Sequence, residues 1–268
     1  MRCSCLFTDF LMSLAFKLDY FGAAFHGWQR QPGLATVQAA LEEAFASLTG
    51  QHVSFTGCGR TDAGVHARGY VASARTQCGI PLAKLPLAMN AKLPQDVSVR
   101  EAYAVDDQFH PVFSCTAKEY TYTIQNGHVR DPFYNDRALF VPAKLDYTAM
   151  CICAREFLGE HDFSSMRTLG SNVKTTVREV YALELASDGS CIRIRIRANG
   201  FLYNMARTMA GTLLYAGLGK LKPGDITKIL EGRDRCAAGP TLDARGLCMT
   251  GVWYPEPYAA LSTEQKCL

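Results

Sequence analysis

No two cysteines of this 268-residue chain have C-x-x-C spacing, although eleven are present. The nearest pairs, Cys3/Cys5 and Cys151/Cys153, are C-x-C. An odd, scattered set excludes a disulfide framework and the tight four-ligand grouping of a structural zinc site. The cysteines read instead as reduced, mostly small core residues of a cytoplasmic protein. No apolar run reaches the roughly 20 residues of a membrane-spanning helix. The opening MRCSCLFTDFLMSLAF faintly resembles a signal peptide. Asp9 interrupts its apolar run, however, and no small-residue cleavage site follows. Residues 1–12 are expected to be an unstructured extension, with either Met1 or Met12 as the start. Charge of one sign is also scarce. The net charge is +3 and the pI about 8.3, so any nucleic-acid site must come from local clustering of basic groups. There is no low-complexity segment and no long linker.

What is present suffices for a large core. Hydrophobic residues make up 48% of the chain, enough for one large domain or two packed ones. Leu14, Phe16, Leu18 and Tyr20 alternate with Ala15, Lys17 and Asp19, which is the period of a strand. Thr36 can cap a helix whose apolar stripe is Val37, Leu41, Ala44, Phe45 and Leu48, ending at Gly50. Strands are expected over 53–56, 70–74 and 97–105, with a short helix from Pro81 to about Asn90. The second half restates this order loosely. A strand over 118–125 sets Tyr120, Tyr122 and Ile124 on one face, and Asp146 can cap a helix reaching Leu158. Strands 177–185 and 191–198 pair across Ser187-Asp188-Gly189-Ser190. A helix over 202–216 and a closing strand over 246–253 complete the pattern. This is an α+β grammar, with helices packed on antiparallel sheets.

The most informative stretch is Gly57 to Gly69, GCGRTDAGVHARG. One acid, Asp62, stands between Arg60 and His66, with Gly57, Gly59 and Gly64 around it. Glycine permits positive φ and close approach of another backbone or a ligand. Read alone, the stretch suits a catalytic loop, but a plain turn of Asp and Gly accounts for it more simply. Arg207 interrupts the apolar helix face MARTMAGTLL, where an unpaired buried arginine is costly; the alternative is a helix edge that lets the side chain snorkel to water. Arg193, Arg195 and Arg197 alternate with Ile192, Ile194 and Ile196, as either a solvated outer face or a phosphate-tracking stripe.

The string GRTDAGVHA resembles the signature of the tRNA pseudouridine synthase A family. The likeness extends to GWQRQPG (Gly27–Gly33), Thr36-Val37-Gln38, Phe109-His110, Phe113-Ser114, Tyr120-x-Tyr122, HDFSS (His161–Ser165) and FLYNMAR ending at Arg207. It covers nearly all of the chain from about Ser13. The resemblance implies an enzyme of two similar halves, with antiparallel or mixed sheets joined into a larger sheet, helices on one side and the active cleft between the halves. The halves are expected over 13–108, carrying the Asp62 loop, and 109–268. The implied reaction isomerises uridines of the tRNA anticodon arm, at tRNA positions 38, 39 and 40, to pseudouridine. It requires no cofactor and no metal, and the enzyme is expected to be a cytoplasmic homodimer.

By the same resemblance Asp62 is the catalytic carboxylate, attacking C1′ or abstracting a sugar proton. Tyr120 packs on the target uracil. Arg60 takes the place of the flipped base or grips phosphate. Arg207 forms a salt bridge that keeps the acid ionised, and His66 is a further substrate-binding candidate. The chain departs from the family pattern at Tyr70 (in Gly69-Tyr70-Val71), at Ser73-Ala74 and at Asp19-Tyr20-Phe21-Gly22. These changes flank the site, and they bear on selectivity more than on the reaction. Two other functions compete: an RNA-binding protein of the same fold without activity, and a base-releasing glycosidase. The glycosidase reading lacks a second motif carboxylate.

Overall fold

The computed structural model describes residues 12–168, 170 and 173–264. The expected extension therefore lies, up to residue 11, outside the described residues, whereas Met12 already begins a strand. The chain divides into two compact units. The first comprises the described residues up to Thr116 together with Val252–Glu264, and the second runs from Ala117 to Gly251.

In the first unit, β1 (Met12–Tyr20) is followed by α1 (Val37–Thr49), β2 (Thr56–Gly57), β3 (His66–Thr76), α2 (Leu85–Asn90) and β4 (Val97–Val105). β1 lies between β3 and β4, antiparallel to both, and β2 lies beside β3. α1 forms where the sequence places it. The Thr36 side chain accepts from the Ala39 N–H, and Gly50 ends the helix with φ 72°, as capping chemistry requires. Leu14, Phe16 and Leu18 of β1, Leu41 and Phe45 of α1, and Phe55 are buried. The Phe55 ring meets Phe16 at 5.3 Å and Phe45 at 5.9 Å. Burying each such side chain stabilises the unit by roughly 1.5–3 kcal/mol. A register shift at Leu18/Asp19 marks an irregularity in the β1–β3 pairing. Such bulges re-aim the side chains beside them. Beyond this one, the Asp19 carboxylate accepts from the Gly69 N–H at 2.8 Å and pairs with Arg100 at 2.7 Å.

The second unit contains β5 (Ala117–Asn126), β6 (Leu139–Val141), α3 (Tyr147–Ala154), β7 (Gly159–Asp162), β8 (Val177–Ser187), β9 (Cys191–Ala198), α4 (Met205–Gly217), α5 (Asp225–Gly232) and β10 (Leu247–Trp253), whose last two residues pass into the first unit. The strand order is β10-β5-β9-β8-β7. β5–β9, β9–β8 and β8–β7 are antiparallel, and β6 runs parallel to β5. Asp146 caps α3 by accepting from Ala149. The helix ends at Ala154 and gives way to a 3-10 turn over Arg155–Phe157, earlier than its apolar pattern suggests. α4 begins at Met205, three residues later than the pattern suggests, because Asn204 before it takes a left-handed conformation, φ 62°. β10 does not close the chain. Segment 254–264 returns to the first unit and ends in β11 (Thr263–Glu264), where the Thr263 hydroxyl donates to the Gly69 carbonyl at 2.6 Å.

The arginine stripe of β9 is neutralised locally. Arg193 pairs with Asp188 at 2.8 Å. Arg195 pairs with Glu184 and lies 3.9 Å from the buried Glu119. These two cations serve the sheet, which disfavours a free phosphate-tracking face. Of the described cysteines, all free thiols, Cys58, Cys78, Cys153 and Cys191 are buried. Among the described residues no helix is long and apolar enough to cross a membrane.

Candidate active site

In the first unit the Asp62 loop joins β2 to β3. β3 starts at His66, earlier than its β-rich core suggests, so the segment between the strands is only Cys58–Val65. The Val65 N–H donates to the Asp62 carbonyl at 3.1 Å, and Gly64 within that turn has φ 81°, a conformation only glycine adopts freely. The turn that Asp and Gly favour locally is therefore real. It also presents Asp62, which is half-buried, between the buried Thr61 and the exposed Ala63. Arg60 is exposed on the same loop, and His66 is buried at its end.

The loop is held from outside its own sequence. The first N–H groups of a helix have no partner within it. In α1, Val37 and Gln38 donate theirs to the carbonyls of Gly27 (3.2 Å) and Trp28 (3.0 Å). Trp28 in turn donates its N–H to the Thr61 carbonyl at 3.1 Å, next to Asp62. Gly27 has φ 86°, and a Cβ there would overlap the Thr61 carbonyl and sit 3.1 Å from the Asp62 carbonyl carbon. On the other side, the Gly64 N–H donates to the Phe25 carbonyl at 3.2 Å. The Gly22 N–H donates to His66 Nδ1 at 2.9 Å, and the His66 ring stacks on Phe21 at 4.5 Å. His66 Nδ1 is thus an acceptor, which fixes the ring orientation and assigns this nitrogen no proton. Two tyrosines complete the cradle. The Tyr20 hydroxyl bonds the Thr61 hydroxyl at 2.8 Å, and the Tyr70 hydroxyl donates to the Gly59 carbonyl. The Tyr70 ring stacks on Trp28 at 4.4 Å. Gly57 is required there, since a Cβ would overlap the Tyr70 hydroxyl and lie 2.6 Å from the Trp28 ring. Tyr70, which the sequence shows only as a departure beside the signature, is therefore one of the loop's supports.

The second unit contains Tyr120 and Arg207. Tyr120 lies on β5 opposite Ile196 of β9. It is buried, and its ring meets Phe201 edge-on at 4.8 Å. Tyr122, two residues on, is also buried and donates its hydroxyl to the Asp243 carbonyl at 2.8 Å; burial raises its pKa well above the ordinary phenol value. Arg207 sits in the first turn of α4, half-buried. Its Nε donates to the Leu242 carbonyl and its Nη1 to the Asn204 side-chain oxygen, both at 2.7 Å. The Leu242 segment approaches α4 closely because Gly211 and Gly239 lack side chains; a Cβ at either would overlap the other segment's backbone.

The sequence reading thus located Arg60, Asp62 and His66 on one loop and Tyr120 and Arg207 in the other unit. It assigned no role in the site to Gly22, Gly27, Tyr70 or Asn204. Gly27 carried a signal in GWQRQPG, and an Asn before a helical apolar pattern is a capping signal. Tyr70 carried none, because its partner Gly59 is eleven residues away. An open groove of about 910 Å³ in the first unit is lined by Gln29–Leu34, one face of α1 and His52–Ser54. Arg30 there is engaged by Glu42 at 2.6 Å, and Asp62 is not part of the groove.

A family model described as tRNA pseudouridine synthase matches residues 18–114 and 153–255. The chain is 43% identical over 244 residues to the tRNA pseudouridine synthase A of Caldicellulosiruptor bescii, covering 91% of this chain and all of that protein. It is also 43% identical over 240 residues to the protein of that name from Geobacter sp. strain M21 (89% and 97% covered), and over 245 residues to that of Bacillus licheniformis (91% and 99%). The matched residues include both the Asp62 loop with its supporting turn and the α4 arginine, and on that breadth this chain belongs to the tRNA pseudouridine synthase family.

Proposed function

We propose that this isomerase converts uridines of the tRNA anticodon arm to pseudouridine, with Asp62 as its essential carboxylate. The reaction breaks the C1′–N1 bond, turns the uracil and joins C1′ to C5. The C5 proton leaves and N1 acquires one, so the product is an isomer of the substrate. The carboxylate acts at C1′ or on the sugar. The target base must leave its stack, at a cost of a few kcal/mol. The single observation that carries the reading is the Asp62 loop: a half-buried carboxylate on a turn fixed by main-chain and tyrosine hydrogen bonds. Positional rigidity of this kind is what a reacting group needs. Tyr120 is proposed to pack on the uracil, Arg60 to hold phosphate or replace the flipped base, and Arg207 to bind at the reacting nucleotide. His66 is proposed to serve the site through the loop that it anchors. The enzyme is proposed to act in the cytoplasm as a homodimer.

The test uses tRNA bearing tritium at uridine C5. Tritium release with the base still attached supports the proposal. Free uracil would identify a glycosidase, and neither product would identify a binding protein. Mapping the modified positions tests the anticodon arm, and analytical ultracentrifugation tests the dimer.

A further inference from the structure

Asn204 is one of two described non-glycine residues with positive φ, the other being Arg233. Asparagine tolerates this region better than most residues, but still at some cost. Three polar groups of Asn204 are engaged at once. Its main chain, at φ 62° and ψ 6°, turns the segment into α4, and its carbonyl accepts from the Thr208 N–H at 2.9 Å. Its side-chain nitrogen donates to the Thr168 hydroxyl at 2.9 Å, and its side-chain oxygen accepts from Arg207 Nη1 at 2.7 Å. The side chain makes no capping bond to its own helix, which is the usual work of an asparagine in that place. It is spent on Arg207 instead.

We propose that Asn204 is a positioning residue for the reaction, aiming the Arg207 guanidinium through its side-chain oxygen. Arginine has a planar fork of five N–H donors. Acceptance at Nε by the Leu242 carbonyl and at Nη1 by Asn204 defines two directions in that plane, and two directions fix its orientation. A long, flexible cation becomes a preoriented one, so little ordering remains to be done when RNA arrives. The left-handed backbone lets one short side chain reach both Thr168 and Arg207. The inference rests on the reading that Arg207 acts at the reacting nucleotide.

Three variants separate aiming from folding. Asn204→Gly suits φ 62° and removes only the side chain. Asn204→Asp keeps the oxygen acceptor and tolerates the same backbone. Arg207→Met tests the underlying reading. Single-turnover rates at saturating tRNA, KM and melting temperature are measured for each. The expected result is a rate loss of tenfold or more in Asn204→Gly, with KM within threefold of wild type and melting temperature unchanged or raised. Asn204→Asp should recover the rate to within threefold. An asparagine that served only the left-handed backbone predicts that glycine is harmless, and one that served only the fold predicts a lower melting temperature with the rate per folded molecule kept. An Asn204→Gly rate within twofold of wild type, a loss confined to KM, or no recovery in Asn204→Asp would overturn the proposal. If Arg207→Met itself turns over at the wild-type rate, the reading of Arg207 falls first, and that result is distinct from the other three.

Discussion

The Asp62 loop and the start of α4 fix a charged side chain in different ways. Asp62 is positioned through its backbone. Thr61, Gly59 and Gly64 are each bonded to a neighbouring segment, and Gly27 and Gly57 let those segments come close. Arg207 is positioned through its own side chain, by a carbonyl and an amide oxygen at 2.7 Å. The difference follows from side-chain length. An aspartate has few rotatable bonds, so fixing its backbone nearly fixes its carboxylate. An arginine on a rigid helix still has about 2 kcal/mol of rotamer entropy to lose, so it must be held near its tip. Damage to the first site should therefore come from backbone and glycine changes, and damage to the second from the loss of an acceptor.

The largest expected effect tests the first region at its centre. Asp62→Asn keeps the shape and removes the charge. Turnover should fall by roughly a thousandfold or more, the scale on which loss of an essential group acts. Filter binding should show tRNA affinity largely kept, since phosphate contacts dominate it. Turnover within tenfold of wild type would remove Asp62 from its role.

Gly27→Ala should come next, although residue 27 carries no chemistry. The left-handed backbone alone costs an alanine about 1–2 kcal/mol, and the new Cβ presses on the Thr61 carbonyl. The expected result is a lower melting temperature with a loss of turnover larger than the unfolded fraction explains. Equal losses in both would mean that Gly27 serves stability alone.

Tyr70→Phe is a milder attack on the same loop. It preserves the stack on Trp28 and leaves the Gly59 carbonyl without its hydroxyl donor. Gly59 is half-buried, so the loss of its partner should cost about 1 kcal/mol, the low end for an unpaired polar group. Denaturant unfolding should register this, and turnover should fall less than in Gly27→Ala. An unchanged midpoint would show that the hydroxyl does not hold the loop.

The smallest effect is expected at the β8–β9 turn, none of whose residues is proposed to touch substrate, and serves as a control. Asp188 is held well below the usual carboxylate range, first by the Cys191 N–H and then, against partial desolvation, by Arg193 and Ser190. A depressed folded-state pKa means that its contribution is present above the ordinary value of about 4 and is lost as pH falls below it. Asp188→Ala should therefore lower the melting temperature at pH 7 and do so less at pH 2–3, with turnover at pH 7 unchanged. An equal effect at both pH values would show that the charge plays no part.

Much of this was legible in the chain because it depends on local chemistry. Thr36 and Gly50 bound α1 as their capping behaviour dictates. β4 spans 97–105 as its pattern reads, and Ser187-Asp188-Gly189-Ser190 turns β8 into β9. The acid, the glycines around it and the α4 arginine were visible as a motif, because each residue type suits its place within a few neighbours. What the sequence left open depends on residues far apart along the chain. Asn204, whose left-handed backbone delays α4, also bonds Thr168, 36 residues earlier. Arg195 of the basic β9 stripe is answered by Glu184, a carboxylate that the β8–β9 register sets opposite it. The segment after β10 returns to the first unit and reaches Gly69 from Thr263, 194 residues away. Sequence determined which elements form and which residues can do chemistry, since propensity and capping act over a few residues. Only the tertiary structure decided how those residues are held, because hydrogen bonds and close approaches between distant segments leave no pattern in local spacing.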